Sequence, residues 1–473
     1  MARDHKASND PITGDSSTSS ALNRELLAIH NRPSGSMFKT TALVLAGLFI
    51  LGIIGFVMKI INSGPEDTAS WGYHAAVFAF IITTASAAPM VAIAPRMVKA
   101  HWRRSISRAA ELWAVVGVLS LILFLPLLAV LPSLADGRRT FWFYHPGEVP
   151  EFTPHIWTSL AILGLTVLGL ALVWMSSLPD MALLRDNSSG WKQAMAKRLA
   201  FGWKGTSRQW FIQKHRLGIL GAFYFMMLVF AHFMVVADFL MPLVPGWIDA
   251  LFPATHAFNA LQAGIATVLI TMFFLRKYGG YHDYIGIEQF RGMGKLLLAT
   301  SLLWVWFWFS SFNVLWYGKK PSEQAVLGLL MVGPYLPIFL ASFVTVFIIP
   351  FVTMIWNPVR RSTWGPPLIA VSVLIGTLLD RVRLYVAAYS VPGIGDSKID
   401  KHELHIEDLP SAVAPNASDV FIVVGAIAGA ILIYMLVSRI IPVMNIWEQR
   451  ELLLYKVHKP FHRTEVQILG KPD

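Results

Sequence analysis

Apolar residues are gathered into ten runs along the chain, and most charged residues lie between them. The runs occupy approximately residues 41–61, 72–94, 112–135, 156–178, 217–241, 256–276, 294–315, 334–356, 366–388 and 419–443. Each has about 20 residues, the length that a helix needs to cross the hydrocarbon core of a bilayer. The alternating pattern of a membrane β-strand does not occur in the sequence. The pattern therefore predicts an all-α integral membrane protein with about ten transmembrane helices.

The run at 294–315 leads into a dense group of aromatic residues. This group contains Trp304, Trp306, Trp308, Phe312, Trp316 and Tyr317. Aromatic rings with a polar edge settle at the headgroup level of a bilayer, so the group marks a membrane boundary. The turn residues Gly318 and Pro321 follow it directly.

Basic residues are divided unequally between the two sets of loops. If the N-terminal segment is cytoplasmic, the cytoplasmic segments contain 30 of the 39 Lys and Arg residues. Cytoplasmic loops carry an excess of Lys and Arg, so both termini are predicted to be cytoplasmic. The net charge of +11 arises mainly in these loops and is interpreted as a topology signal, with no nucleic-acid partner.

Composition agrees with the membrane interpretation and limits the chemistry. The chain is 55% hydrophobic and only 14% charged, and it contains no cysteine. Without thiolates it can neither ligate an iron–sulfur cluster through cysteine nor attach a c-type haem. Of its 14 histidines only His232 lies deep in an apolar run, so no haem is predicted on this chain.

A faint internal repeat suggests how the helices are grouped. The second and sixth helices begin near His74 and His256, on the predicted outer side. The fifth and ninth helices carry Asp238 and Asp380 towards their outer ends. Four helices per unit would keep two units in the same orientation; chance similarity among apolar helices is the alternative. The predicted division is a cytoplasmic polar tail (1–40), a first transmembrane helix and loop (41–70), a first four-helix bundle (71–241), a second four-helix bundle (242–390), an outer loop (391–418), and a last transmembrane helix with a cytoplasmic tail (419–473).

Ionisable residues within the apolar runs form the first candidate site. An ionisable side chain at membrane depth is costly, so each is a functional hypothesis. The candidates towards the outer side are His74, His232, Asp238, His256, Asp380 and Arg383, with Gln262 nearby. Asp380 and Arg383 are three residues apart and share a helix face. These groups would suit a proton path or the headgroup site of a quinol; the alternative is a purely structural polar network.

Two carboxylates form a second candidate site on the cytoplasmic side. Glu111 stands at the start of the third helix, close in sequence to Arg104 and Arg108, and Asp180 stands at the end of the fourth. They could take up protons from the cytoplasm, whereas the simpler interpretation is that they cap helix ends.

Several stretches carry a resemblance to a known family. They are WGYHAAVFAF and SAAPMVAIAPR (71–96), WRRSISRAAELW (102–113), SSLPDMALLRD (176–186), GWKGTSRQW (202–210), LQAGIATVLITMFFLRKYGG (261–280), SSFNVLWYGKKPSEQ (310–324), GPYLPIFLASFV (333–344), WNPVRRS (356–362) and DRVRLYVA (380–387). In these stretches the chain resembles the NrfD/PsrC-like family of polytopic membrane subunits, and within it the members found in bacterial alternative complex III.

The resemblance implies two four-helix bundles in a multisubunit complex of the bacterial inner membrane. It implies an iron–sulfur subunit, c-type haem subunits and a homologous polytopic subunit as partners, with quinol or menaquinol as the reductant. Of the two polytopic subunits in such complexes, one is associated with quinol and the other with proton conduction, and this chain is more similar to the second.

The sequence thus favours a membrane subunit of a quinol:electron-acceptor oxidoreductase that bears no metal itself. Three alternatives remain. One is the membrane anchor of a polysulfide- or nitrite-reductase-type complex. The second is a stand-alone secondary transporter, which would be expected to use broken helices and a site at the midplane. The third is a purely structural scaffold with no role in proton or quinol chemistry.

Overall fold

Nearly all of the chain is helical. The computed structural model describes residues 16–131, 153–391, 404–461 and 464–469. The helices of the first part are α1 (Ser16–Asn31), α2 (Ser36–Ser63), α3 (Gly72–Thr84), α4 (Met90–Met97), α5 (Ser107–Glu111), α6 (Gly117–Val130), α7 (Thr153–Asn187), α8 (Gly190–Leu199) and α9 (Ser207–Phe239). The helices that follow are α10 (Phe252–Tyr278), α11 (Ile287–Gly318), α12 (Pro321–Leu327), α13 (Leu336–Phe343), α14 (Ile349–Met354), α15 (Asn357–Arg360), α16 (Gly365–Ser390), α17 (Ala417–Val437) and α18 (Ile446–Tyr455).

Eight helical stretches of the described residues are long and apolar enough to cross a membrane, which indicates a multi-pass membrane protein. They are Ser36–Ser63, Ser107–Val130, His155–Asn187, Ser207–Leu243, Phe252–Tyr278, Ile287–Gly318, Leu336–Met354 and Ala417–Val437. Three of them contain irregular turns: a 3-10 turn joins α5 to α6, a 3-10 turn, Met241–Leu243, follows α9, and a π-helical turn, Val344–Ile348, joins α13 to α14.

Two of the ten predicted spans are not among these eight. The span predicted at 72–94 is interrupted, because α3 ends at Thr84 and α4 begins at Met90 after a turn. Pro89 ends this turn, and a Cβ atom on Gly264 of α10 would lie 2.6 Å from the backbone of Ala87. The span predicted at 366–388 is one helix, α16, but its second half carries three charged residues.

A short β-hairpin ends the described chain, in a region where the sequence predicted a cytoplasmic tail. Strands β1 (Lys456–Phe461) and β2 (Thr464–Leu469) are antiparallel, with Lys456 opposite Leu469. The hairpin is the only pair of strands among the described residues.

The helix ends and loops collect at two ends of the molecule. One end, called here the termini end, brings α1 together with the loops after α7 and α17: Lys192 donates a hydrogen bond to the carbonyl of His30 at 2.9 Å, and Arg439 donates one to the carbonyl of Arg32. At the other end, called the far end, Tyr73 donates to the carbonyl of Val413 at 2.8 Å.

The N-terminal segment is more ordered than the polar tail predicted for residues 1–40. Residues 1–15 lie outside the described part, but α1 buries Leu26, Leu27 and Ile29 against the termini end. Similarly, residues 392–403 of the predicted outer loop lie outside the described part.

The centre of the molecule is formed by α3, α10 and α16. Every residue of α3 is buried, and α10 has the largest buried share among the eight spanning stretches. At the periphery, α2 and α17 pack against each other. The arrangement places the polar side chains of α10 and α16 in the interior.

Candidate functional site

Two histidines and a tyrosine form a chain of hydrogen bonds near the far end of the interior. The Nδ1 atoms of His232 and His256 are 3.0 Å apart, and the Nε2 atom of His256 is 3.3 Å from the Tyr385 hydroxyl. These residues belong to α9, α10 and α16, and all three are buried. A bond between two imidazole nitrogens needs one N–H donor and one bare acceptor. The two hydrogen bonds can therefore both point from His232 towards Tyr385 or both point the opposite way. A proton relay requires this property.

Next to this relay, α16 holds a cluster of opposite charges. The Asp380 carboxylate accepts hydrogen bonds from Arg383 at 2.6 Å and from Arg381 at 3.4 Å. Arg381 also donates to the side-chain oxygen of Asn259 on α10 at 2.6 Å, and Arg383 donates to the carbonyl of Leu330 at 2.9 Å. Two cations and one anion are thus buried together, a combination that requires many hydrogen bonds because removing charges from water is costly.

Gln262 extends the polar interior along α10. Its side-chain nitrogen donates to the Ser301 hydroxyl and to the carbonyl of Val346, both at 2.8 Å. Val346 lies in the π-helical turn between α13 and α14. A π-turn shifts carbonyl groups out of the regular helical pattern and often occurs at functional sites. Here one of those carbonyls becomes an acceptor for α10.

The other two candidates of the far end are held in different surroundings. Asp238 is buried and accepts a hydrogen bond from the Thr158 hydroxyl of α7. His74 is hydrogen-bonded through Nε2 to the carbonyl of Leu123 at 2.8 Å, and its ring contacts the rings of Phe56 and Trp71. The structure therefore brings His232, His256, Asp380 and Arg383 into one region, and gives Asp238 and His74 separate partners.

The space beside Arg383 is small. A pocket lined by Arg383, Trp308 and Asp249 has a volume of about 20 Å³. This is room for about one water molecule, which needs roughly 10–15 Å³ on this measure. The residues around Arg383 thus suit a bound water better than a quinol headgroup.

The two carboxylates predicted on the cytoplasmic side share partners at the termini end. Glu111 accepts hydrogen bonds from Arg96 and from the Ser176 hydroxyl, both at 2.6 Å. Arg108 lies 3.4 Å from Glu111 and 3.2 Å from Asp180, so a single guanidinium group joins the two acids. All three side chains are buried. Asp180 also caps the start of α18 through the backbone N–H of Trp447, so the helix-capping interpretation accounts for part of this arrangement.

A third carboxylate, Glu448 of α18, completes this network. Arg103 donates to both of its oxygens, at 2.7 and 2.8 Å, and Arg96 donates at 3.3 Å. Burial by itself raises the pKa of Glu448, but the two guanidinium groups outweigh it and lower the pKa to about 2. The C-terminal segment is therefore tied to the loop after α4 by charge as well as by packing.

Asp180 also borders a cavity at the termini end. This cavity has a volume of about 320 Å³ and lies between the end of α7, the start of α9 and α18. Asp180 accepts a hydrogen bond from the backbone N–H of Trp447 at 3.1 Å.

Several important residues were not predicted from the sequence. Arg381 and Tyr385 lie one and five residues after Asp380, in a stretch already recognised as polar, and could have been included on that ground. Nothing in the sequence near Glu448 indicated its role, since Arg96 and Arg103, which it binds, lie more than 340 residues away. The buried ion pair between Lys59 of α2 and Asp419 of α17, at 2.6 Å, was also missed.

Comparison with known proteins adds no assignment. No model of a protein family matches the chain, and no curated protein matches it. In the described residues no group of three or more His, Cys, Asp or Glu side chains is placed to hold a metal ion.

Proposed function

We propose that the chain is a proton-conducting membrane subunit of a quinol:electron-acceptor oxidoreductase, similar to the ActF subunit of alternative complex III. The observation that carries the proposal is the buried relay of His232, His256 and Tyr385 beside the Asp380–Arg383 pair. Ionisable groups within apolar helices are costly, and proton pathways are one of their main uses.

In this proposal, protons enter at the termini end. Asp180 takes up a proton from the cavity and passes it through bound water to Glu111. Arg108 orients both carboxyl groups and does not release a proton itself.

The polar track of α10 connects the two networks. Trp113, two residues after Glu111, donates a hydrogen bond to the Thr271 hydroxyl at 3.0 Å. Asn259, Gln262, Thr267 and Thr271 are all buried on α10. At about 1.5 Å per residue these positions cover roughly 18 Å along the helix axis. Water bound between them would complete a path to Asp380, the proposed proton carrier, which forms an ion pair with Arg383.

Quinol oxidation itself is assigned to a neighbouring subunit. The small volume beside Arg383 supports this division. The proposed partners are an iron–sulfur subunit, c-type haem subunits and a homologous polytopic subunit. We further propose that the interrupted helix pair α3–α4 and the charged helix α16 also cross the bilayer, which gives ten crossings in a bacterial inner membrane.

Purification of the complex tests the proposal. The chain is tagged, extracted in a mild detergent, and analysed by mass spectrometry and by a reduced-minus-oxidised visible spectrum. Co-purification of iron–sulfur and c-type haem subunits is expected. A colourless single polypeptide would contradict the proposal.

A second candidate function is secondary transport, which the interrupted helix favours. The turn between α3 and α4 is buried, and Tyr224 donates to the carbonyl of Ser86 within it at 2.7 Å. Transporters place substrates at such breaks. Solute uptake by the isolated chain in liposomes, lost in Gly264→Ala but kept in Gly218→Ala, would favour this function. Gly264 packs against the break, whereas a Cβ atom on Gly218 would meet open space.

A further inference from the structure

The cavity at the termini end has a rim of basic and indole donors that the proton path does not use. Lys204 and Arg450 stand at this rim, together with Trp203 and Trp210. The Lys204 side chain is exposed and makes no hydrogen bond or ion pair with the residues that the structure describes. Arg450 uses its Nε atom to donate to the Ser19 hydroxyl at 3.0 Å, which leaves its two terminal nitrogens for another acceptor.

The two indole N–H groups converge on one point. Trp203 and Trp210 meet edge to face at 5.1 Å, and a Cβ atom on Gly205 would lie 3.9 Å from the ring nitrogen of each. Gly205 has a φ of +74°, a conformation that glycine adopts without strain. Neither ring nitrogen has a hydrogen-bond partner within the described part of the chain. An acceptor placed above Gly205 would meet both donors.

The acidic residues of the cavity are already paired with arginines, so they do not repel an anion strongly at this rim. Asp180 is paired with Arg108, and Asp186 is paired with Arg185 at 2.7 Å. The charges left without a counterion are the two basic ones. The rim is therefore suited to an anionic group with several acceptor oxygens, such as a phosphate ester.

The surroundings of the rim point to a lipid. The cavity lies where α7 ends and α9 begins, and both helices belong to stretches long and apolar enough to cross a membrane. Phe201 lies two residues before Trp203 and Phe211 directly follows Trp210, and their side chains are 78% and 66% exposed. Such large apolar side chains in the headgroup region suit contact with acyl chains. A basic pocket at the membrane boundary with an apolar border is typical of sites for anionic phospholipid headgroups.

We propose that this cavity binds the phosphate group of an anionic diacyl phospholipid. Lys204, Arg450 and the indole N–H groups of Trp203 and Trp210 hold the phosphate oxygens, and the acyl chains lie against Phe201 and Phe211. The volume of about 320 Å³ accommodates a glycerophosphate headgroup. This inference does not depend on the proposed oxidoreductase function.

Native mass spectrometry with added lipids tests the proposal. The purified full-length protein, or the complex containing it, is titrated with phosphatidylglycerol, with phosphatidylcholine and with inorganic phosphate. Phosphatidylglycerol is expected to bind with a defined stoichiometry and to be displaced only weakly by inorganic phosphate. The double variant Lys204→Ala/Arg450→Ala is expected to bind it about thirtyfold more weakly, given two lost basic contacts.

Two further variants distinguish binding at this cavity from a general effect of positive charge on the protein surface. Lys197→Ala/Arg198→Ala removes the same charge from exposed positions of α8 outside the cavity and should bind phosphatidylglycerol like the unmodified protein. Trp210→Phe keeps the ring but removes one N–H donor and should weaken binding severalfold. Equal loss in both double variants, or equal binding of the two lipids, would overturn the proposal. Displacement by inorganic phosphate at the same concentration as the lipid would overturn the assignment to a lipid.

Discussion

At the scale of single residues, buried charges are held by partners on more than one element. Asp380 contacts two guanidinium groups of its own helix, which are in turn bound to Asn259 and to the carbonyl of Leu330. Removing one member of a buried ion pair typically costs about 3–5 kcal/mol, because the remaining charge is left without a partner. A change at Asp380 therefore affects both stability and any proton transfer.

Replacing Asp380 by Asn is expected to reduce proton uptake coupled to quinol oxidation by about tenfold or more, because an amide cannot carry a proton between partners. The measurement is pH change in proteoliposomes that contain the assembled complex. Asp380→Glu should retain part of the activity, and Asp283→Asn, at a side chain that is 85% exposed, should have no effect. Normal coupled uptake in an assembled Asp380→Asn complex would refute the proposed carrier.

The packing of α1 is expected to weaken as the pH falls below neutrality. Burial, with added repulsion from Lys192 and Arg439, lowers the pKa of His30 from 6.5 to about 3. The undocked helix therefore binds a proton more readily, so docking is at full strength above about pH 6.5 and is lost as the pH falls towards 3. At pH 5 the loss is about 2 kcal/mol.

Hydrogen exchange of residues 20–31 at pH 7 and pH 5, corrected for the intrinsic rate, measures this effect. His30→Gln should remove the pH dependence, whereas His215→Gln, at an exposed position, should preserve it. A pH dependence that persists in His30→Gln would show that another group is responsible.

At the scale of helices, small residues decide how closely elements approach. A Cβ atom on Gly52 of α2 would lie 2.7 Å from the Cα atom of Gly425 on α17, and one on Gly425 would lie 2.3 Å from the Cα atom of Gly52. Close backbone contact through small residues is a common way for membrane helices to associate. The buried pair of Lys59 and Asp419 joins the same two helices.

Gly52→Ala is expected to separate α2 from α17 and to destabilise the protein by about 1–3 kcal/mol, the usual cost of overpacking. Gly47→Ala is the matched control on the same helix, since its added Cβ atom would meet open space. Thermal unfolding in detergent should show a lower midpoint for Gly52→Ala only. If the two variants unfold at the same temperature, the close contact has no energetic role.

At the scale of the whole molecule, charged side chains and exposed aromatic rings distinguish the two ends. The termini end carries α1, the Arg96–Glu448 network and α18, while the far end carries the aromatic group of α11. On that group Trp304 is 3% exposed, but Trp306, Trp316 and Tyr317 are 67%, 50% and 80% exposed. Their exposure is consistent with the membrane boundary predicted there.

The predicted orientation can be tested with single cysteines, because the chain has none of its own. Ser189→Cys lies at the termini end and Ala69→Cys at the far end, both at exposed positions. A maleimide that cannot cross membranes is expected to label Ala69→Cys in intact cells, and Ser189→Cys only after permeabilisation. The reverse pattern would place the termini outside.

The positions of the helices in this protein can be predicted from the sequence more completely than the contacts between the helices. Apolar length, aromatic boundaries and the distribution of Lys and Arg are local properties of each segment, and the bilayer acts on each segment separately. The sequence accordingly predicted helices at all ten positions, although eight stretches of the described residues are long and apolar enough to span a membrane and one predicted span is interrupted.

The sequence by itself thus determined a membrane chain built mainly of helices, the positions of its apolar helices, and the polar residues worth examining. Only the tertiary structure decided that His232 meets His256, that one arginine joins Glu111 to Asp180, and that Glu448 closes the termini end. It also separated Asp238 and His74 from the relay. The physical reason is that backbone hydrogen bonds form within each helix, whereas the choice of neighbouring faces depends on side-chain shape and charge far apart in the chain.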